Sequence, residues 1–139
     1  MIPSNIGRQH PDRPSEKELR KKLEEAKMLI RQDRWSPASP GKLAANFSEI
    51  EEKLNIDATL SEDHKALLLA ALDEIKVADY AGEHPPQKSY EPATKNVDMF
   101  AFCWQSSYFS ERMYFKFCLV GADKGRRAFI FSIHPSTDN

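Results

Sequence analysis

The sequence predicts an α+β domain in which three N-terminal helices cover one face of a C-terminal three-stranded antiparallel sheet. Three observations carry this. Before residue 77 the apolar residues recur at helical spacing in three separate stretches. After residue 96 the period changes to two, in runs near 97–104, 112–120 and 127–134. Only short polar turns separate those runs, so neighbouring strands pair antiparallel, and helices followed by strands make an α+β rather than an alternating α/β domain.

Residues 1–14 hold three prolines, scattered charge and no apolar period, and read as a loosely ordered tail ahead of one domain over 15–139. The first helix starts at Ser15, an N-cap with Glu18 three residues on. It runs to about Arg34 with Leu19, Leu23, Ala26 and Ile30 on one face. Its other face carries seven bases and five acids, including the i,i+4 pair Lys21/Glu25. This is the pattern of a solvated helix face, with an RNA or partner contact as the alternative. Trp35 to Gly41 contains two prolines and a glycine and reads as a linker. A second helix follows over Lys42–Leu54, with Leu43, Phe47, Ile50 and Leu54 inward and Asn55 able to end it. The third begins after Ser61, an N-cap followed by Glu62 and Asp63, which favour the positive helix start, and continues to about Lys76. Its near-continuous apolar run (Ala66, Leu67, Leu69, Ala70, Leu72) marks it as the helix packed centrally on the sheet. His64 reads as a surface residue, since no second His or Cys stands at metal-ligand spacing. The Gly- and Pro-Pro-containing stretch 78–95 is a loop.

Composition narrows the function classes. The net charge is −1, with an isoelectric point near 6.4, which is not that of a generally basic nucleic-acid binder. Charge is nevertheless uneven: from Gln105 to His134 two acids, Glu111 and Asp123, face five bases, Arg112, Lys116, Lys124, Arg126 and Arg127. Cys103 and Cys118 lie inside strands without ligand spacing and read as buried free thiols of a reducing compartment. No apolar run approaches the roughly 18 residues of a membrane span, and the start lacks a signal-peptide core, so the expected location is cytoplasmic.

The two last strands carry the candidate site. Alternation puts Met113, Phe115, Phe117 and Leu119 on one face of the first and Arg112, Tyr114, Lys116 and Cys118 on the other. In the second, Phe129, Phe131 and Ile133 share a face, and Ala128, Ile130, Ser132 and His134 the opposite one. Joining the aromatic faces against the helices brings Tyr114 and Lys116 together with Ser132 and His134 on the outward face. For Tyr114 to lie opposite Ser132 or His134, paired positions must sum to 246 or 248. An odd sum scatters the cluster over both faces.

A helix running into Asp79-Tyr80, a Gly/Pro loop, the strand Asp98-Met99-Phe100-Ala101-Phe102, then Met113-Tyr114-Phe115-Lys116-Phe117 and Phe129-Ile130-Phe131-Ser132-Ile133-His134 resembles the MqsR-type toxins of the RelE-like toxin–antitoxin ribonucleases. The resemblance spans about 42–134. It implies a RelE-like fold and a metal-independent, cofactor-free endoribonuclease that cuts messenger RNA and is neutralised by a cognate antitoxin. The family's strand tyrosine matches Tyr114, and its basic residue after the last strand's serine matches His134. The sequence departs from the pattern where Ala81-Gly82 follow Tyr80 in place of a lysine, leaving Lys88 as the positional counterpart. Neither Gln87 nor Gln105 sits where the family has glutamine, and the first 40 residues have no counterpart.

The chemistry is coherent on its own terms. Metal-free RNA cleavage needs a base for the 2'-hydroxyl, an acid for the 5'-oxygen and positive charge for the phosphorane. An imidazole at His134 serves as acid or base, and Lys116 and Arg112 hold phosphate charge. Tyr114 orients the phosphate, donates a proton or stacks on a base. Lys88, Arg126, Arg127 and Ser132 complete the expected RNA-binding surface. Set against this, Tyr, Lys, Ser and His alternating on an exposed face are also what an ordinary half-buried sheet shows. The alternative function is a non-catalytic protein-interaction or adaptor module on the same fold.

Overall fold

The computed structural model describes residues 14–56, 61–83 and 86–136. The tail, apart from Pro14, and the side chain of Ser61 lie outside the described residues. In order come α1 (Glu16–Arg31), β1 (Trp35–Pro37), α2 (Pro40–Leu54), α3 (Ser61–Glu74), β2 (Phe100–Gln105), β3 (Arg112–Val120) and β4 (Arg127–Pro135). The α+β class and the three helices stand. The sheet, however, has four strands in the order β1-β4-β3-β2, with β1 parallel to β4 and the rest antiparallel.

The additional strand is the stretch expected to be a linker. Trp35, Ser36 and Pro37 pair with Ala128, Phe129 and Ile130. Pro37 is tolerated because β1 is an edge strand, where one N–H position faces no neighbour. Pro40 then occupies the first turn of α2, where its missing N–H costs nothing. The two prolines that argued for a linker instead mark the end of an edge strand and the start of a helix. The Arg127 guanidinium locks this edge, donating to the Trp35 carbonyl (2.8 Å) and the Ser36 hydroxyl (3.2 Å).

Ser15 Oγ caps α1 by accepting from Glu18 N (3.1 Å). The helix stops at Arg31, short of Arg34, because Asp33 turns left-handed (φ 61°) and sends the chain into β1. Asn55, also left-handed (φ 55°), ends α2. α2, not α3, lies along β4, and α3 packs against α1. His64 is half-buried, with its ring lying flat on Phe47 of α2 at 4.0 Å between centroids.

Leu19, Leu23, Leu29, Phe47, Leu68 and Leu72 from the helices meet Phe102, Phe115, Phe117, Ile130 and Ile133 from the sheet in the main core. The opposite face is not left bare. Residues 86–99 close on themselves through Met99 N to Gln87 O (2.8 Å) and Ser89 N to Val97 O (3.0 Å), and their Met99 and Val97 pack on it. Ala38, Met99, Cys118 and Phe131 form a second apolar cluster there.

The alternation read from the sequence fails at one point in β4. Lys116 pairs with Ser132 and Tyr114 with His134, but Phe117 pairs with Ile130, leaving Phe131 without a partner. Such a bulge lets two successive side chains point the same way. Ile133, Ile130 and Ala128 therefore face the helices, whereas Phe129 and Phe131 join the outer cluster. The expected faces of Phe129, Phe131, Ala128 and Ile130 are thus reversed, and only the Ser132–His134 end keeps the predicted one. Among the described residues no helix is long and apolar enough to cross a membrane.

Candidate functional site

Ahead of the bulge the paired positions sum to 248, the even register on which the cluster depends. Cys103, Tyr114 and His134 form one row across β2, β3 and β4, and Ala101, Lys116 and Ser132 the next. The Tyr114 and His134 rings stack at 5.2 Å between centroids, 25° apart. His134 Nδ1 lies 2.8 Å from the Pro135 carbonyl oxygen, which can only accept. The proton is therefore on Nδ1, and in the neutral ring the Nε2 lone pair is free to act as a base.

Lys116 stands beside this pair with its ammonium 5.7 Å from the centre of the Phe131 ring. Partial burial, and after it the Lys42 ammonium, hold Lys116 below the ordinary lysine range. Tyr114 and Lys116 also line a cleft of about 70 Å³ on the outer face, walled by Ala81, Gly82, Gln87 and Ala101. The wall depends on Gly82. A Cβ there would fall 2.5 Å from the Tyr80 hydroxyl oxygen, whose proton is donated to the Glu83 carbonyl (2.7 Å).

Arg112 is exposed at the start of β3, on the same face as Tyr114 and about 7 Å along the strand from it. Ser132 is in the cluster but only 1% exposed, so it is not an open surface contact. The other three expected RNA contacts are engaged elsewhere. Lys88 is held by Asp98 at 2.6 Å, and Arg127 by β1. Arg126 forms a two-pronged pair with Glu25 (2.8 and 3.1 Å), each partner pulling the other's pKa away from neutrality. It lines a separate groove of about 740 Å³ between α1 and the β3–β4 turn. That end of β3 lies about 20 Å from Tyr114.

Sequence reasoning missed two supports of the site. Phe131, the seat of Lys116, was assigned to the wrong face because a bulge leaves no mark in an alternating pattern. Asn46 of α2 accepts from Ile133 N at 2.9 Å, where β1 no longer reaches β4; its position on a helix gave no signal of this. Cys103 and Cys118 are buried free thiols, as expected, and burial pushes Cys118 up to about 12. Among the described residues no three His, Cys, Asp or Glu side chains are grouped as metal ligands would be. Comparison with protein-family models, curated proteins and solved structures gives no match.

Proposed function

We propose that this chain is a metal-independent endoribonuclease of the MqsR-like toxin type, cutting messenger RNA and held in check by a cognate antitoxin. The observation that supports this best is the stacked Tyr114–His134 pair, with Lys116 in the adjacent row and Arg112 further along the same face. His134 Nε2 takes the proton of the 2'-hydroxyl, whose oxygen attacks the phosphorus. The bond to the 5'-oxygen breaks, and that oxygen receives a proton from Lys116, whose lowered pKa makes it the better donor. Arg112 offsets the charge of the five-coordinate phosphate, and the Tyr114 ring fixes the plane of the imidazole.

The test is incubation of purified protein with messenger RNA in EDTA. Fragments ending in a 2',3'-cyclic phosphate are expected. His134→Ala should lose at least about 100-fold in rate while keeping its circular dichroism spectrum. Intact RNA across a broad panel of sequences, with and without ribosomes, refutes the proposal and favours an adaptor module on the same fold.

A further inference from the structure

The Lys116 row continues beyond the sheet. β1 hands the chain to α2 through Ala38 N to Ile130 O (2.9 Å), and three residues further along β4 Asn46 Oδ1 accepts from Ile133 N (2.9 Å). The first turns of α2 are thereby pinned along the stretch of β4 that contains the bulge. Lys42 lies one helical turn before Asn46 and projects from the same side of α2. Lys42 therefore sits on α2 between the two points at which that stretch of chain meets β4, Ile130 and Ile133, alongside Ser132, which pairs with Lys116. The depression of Lys116 by Lys42 is a second sign of their closeness.

Two like charges held near each other repel, and protein surfaces ordinarily relieve this with an acid. Here, among the described residues, neither Lys42 nor Lys116 has a carboxylate partner, although six other cations do. Ser132, the strand partner of Lys116, is 1% exposed, so any ligand here is held by the two ammonium groups and not by the serine hydroxyl. An oxyanion placed here would satisfy both ammonium groups and lie one row from His134.

We infer that Lys42 is the second cation of the site, and that Lys42 and Lys116 together clamp one phosphodiester of a single-stranded RNA beside Ser132. The identity of the ligand rests on the ribonuclease reading; the clamp itself does not require cleavage. Lys42 is a binding and positioning residue in this arrangement, and His134 remains the base.

The experiment uses the full chain and a 2'-O-methyl oligoribonucleotide, which offers phosphodiesters but no attacking hydroxyl. Fluorescence anisotropy over a salt series should show binding. Lys42→Ala should weaken it about tenfold and flatten the log–log salt slope by about 0.7, the value for one phosphate contact to a single strand. Lys42→Arg should restore both. Because the substitution to Ala relieves repulsion, its Tm should be no lower than that of the parent chain, which a merely structural lysine would not show. In parallel, inorganic phosphate should shift the side-chain NMR signals of Lys42 and Lys116 together.

Unchanged affinity and slope in Lys42→Ala overturn the clamp, as does lost binding accompanied by a lowered Tm. Binding that depends on Lys42 without cleavage of unmodified RNA supports the clamp and sinks the nuclease. Phosphate shifts at both lysines without oligonucleotide binding keep an oxyanion site but remove RNA as its ligand. Absence of both overturns the inference entirely.

Discussion

Replacing Glu74 by Gln tests how the β2–β3 hairpin, and with it Tyr114, is held. Glu74 ends α3 and gathers four donors, one from β2 and three from the turn between β2 and β3. Trp104 Nε1 (2.9 Å) and Ser106 Oγ (2.6 Å) donate to one oxygen, and the Ser107 and Tyr108 N–H groups (2.9 and 3.0 Å) to the other. Glutamine keeps one acceptor oxygen and puts an NH₂ where the second was, so two donors face a donor. A hydrogen bond to a charged acceptor contributes about 1.5–3 kcal/mol, and water reaches part of this turn, which favours the low end. We therefore expect a loss of about 2–3 kcal/mol at neutral pH, a fall of roughly 1–1.5 M in a urea midpoint.

The pH dependence has a fixed sign. Burial raises the Glu74 pKa, but the donors from Ser106, Trp104, Tyr108 and Ser107 together outweigh it and hold the carboxyl below 4.5. Stability from a depressed carboxyl is present above the unfolded value and is lost as pH falls through the folded one. The gap between parent and variant should accordingly be full at neutral pH and shrink once the pH drops below 4.5. A variant within about 0.5 kcal/mol of the parent at neutral pH, or an equal gap on both sides of that range, would refute the reasoning.

Asn46→Ala leaves Ile133 N–H unpaired at a partly buried edge, and chemical denaturation should register a loss of about 1–2 kcal/mol. A double-mutant cycle on Glu25 and Arg126, both about a quarter exposed (27% and 25%), should give a coupling of about 1–2 kcal/mol that declines with added salt; no coupling would mean the pair is incidental. Cys118, pushed up to about 12 by burial, should resist a thiol reagent at mildly alkaline pH until the protein unfolds, and labelling of the native chain at that position would contradict the packing of Thr94, Phe131 and Met99 around it.

Helical period and caps made the helices legible because both are local signals. Ser15, Asn55 and the inward Leu43, Phe47 and Ile50 act within a few residues of themselves. β1 was illegible for the opposite reason. Three residues with a proline carry no strand signal, and what makes Trp35–Pro37 a strand is the free edge of β4, some 90 residues away. α3 was misplaced by the same kind of limit, since its nearly all-round apolar surface says that it is buried without saying against what. The fates of Lys88, Arg126 and Arg127 were likewise beyond reach. Each is bound to a partner that only the fold brings near, and a basic residue count cannot distinguish a cation awaiting phosphate from one already held by Asp98, Glu25 or a β1 carbonyl.

The bulge ties the packing of β4 to the placement of the site. An unbroken even register would have kept Tyr114, Lys116, Ser132 and His134 together, but it would also have put Ile130 on the outer face and Phe129 and Phe131 among the helices. An unbroken odd register would have packed Ile130 inward at the cost of dispersing the cluster. One unpaired residue at 131 satisfies both ends of β4: the paired sum is 248 up to Lys116 and 247 beyond it. The same extra residue places an aromatic ring under Lys116, and just past it, where the pairing with β1 has ended, Asn46 of α2 takes the Ile133 N–H. The irregularity that the alternating pattern concealed therefore also seats Lys116, and its effects on packing and on the site cannot be separated by any substitution that regularises β4.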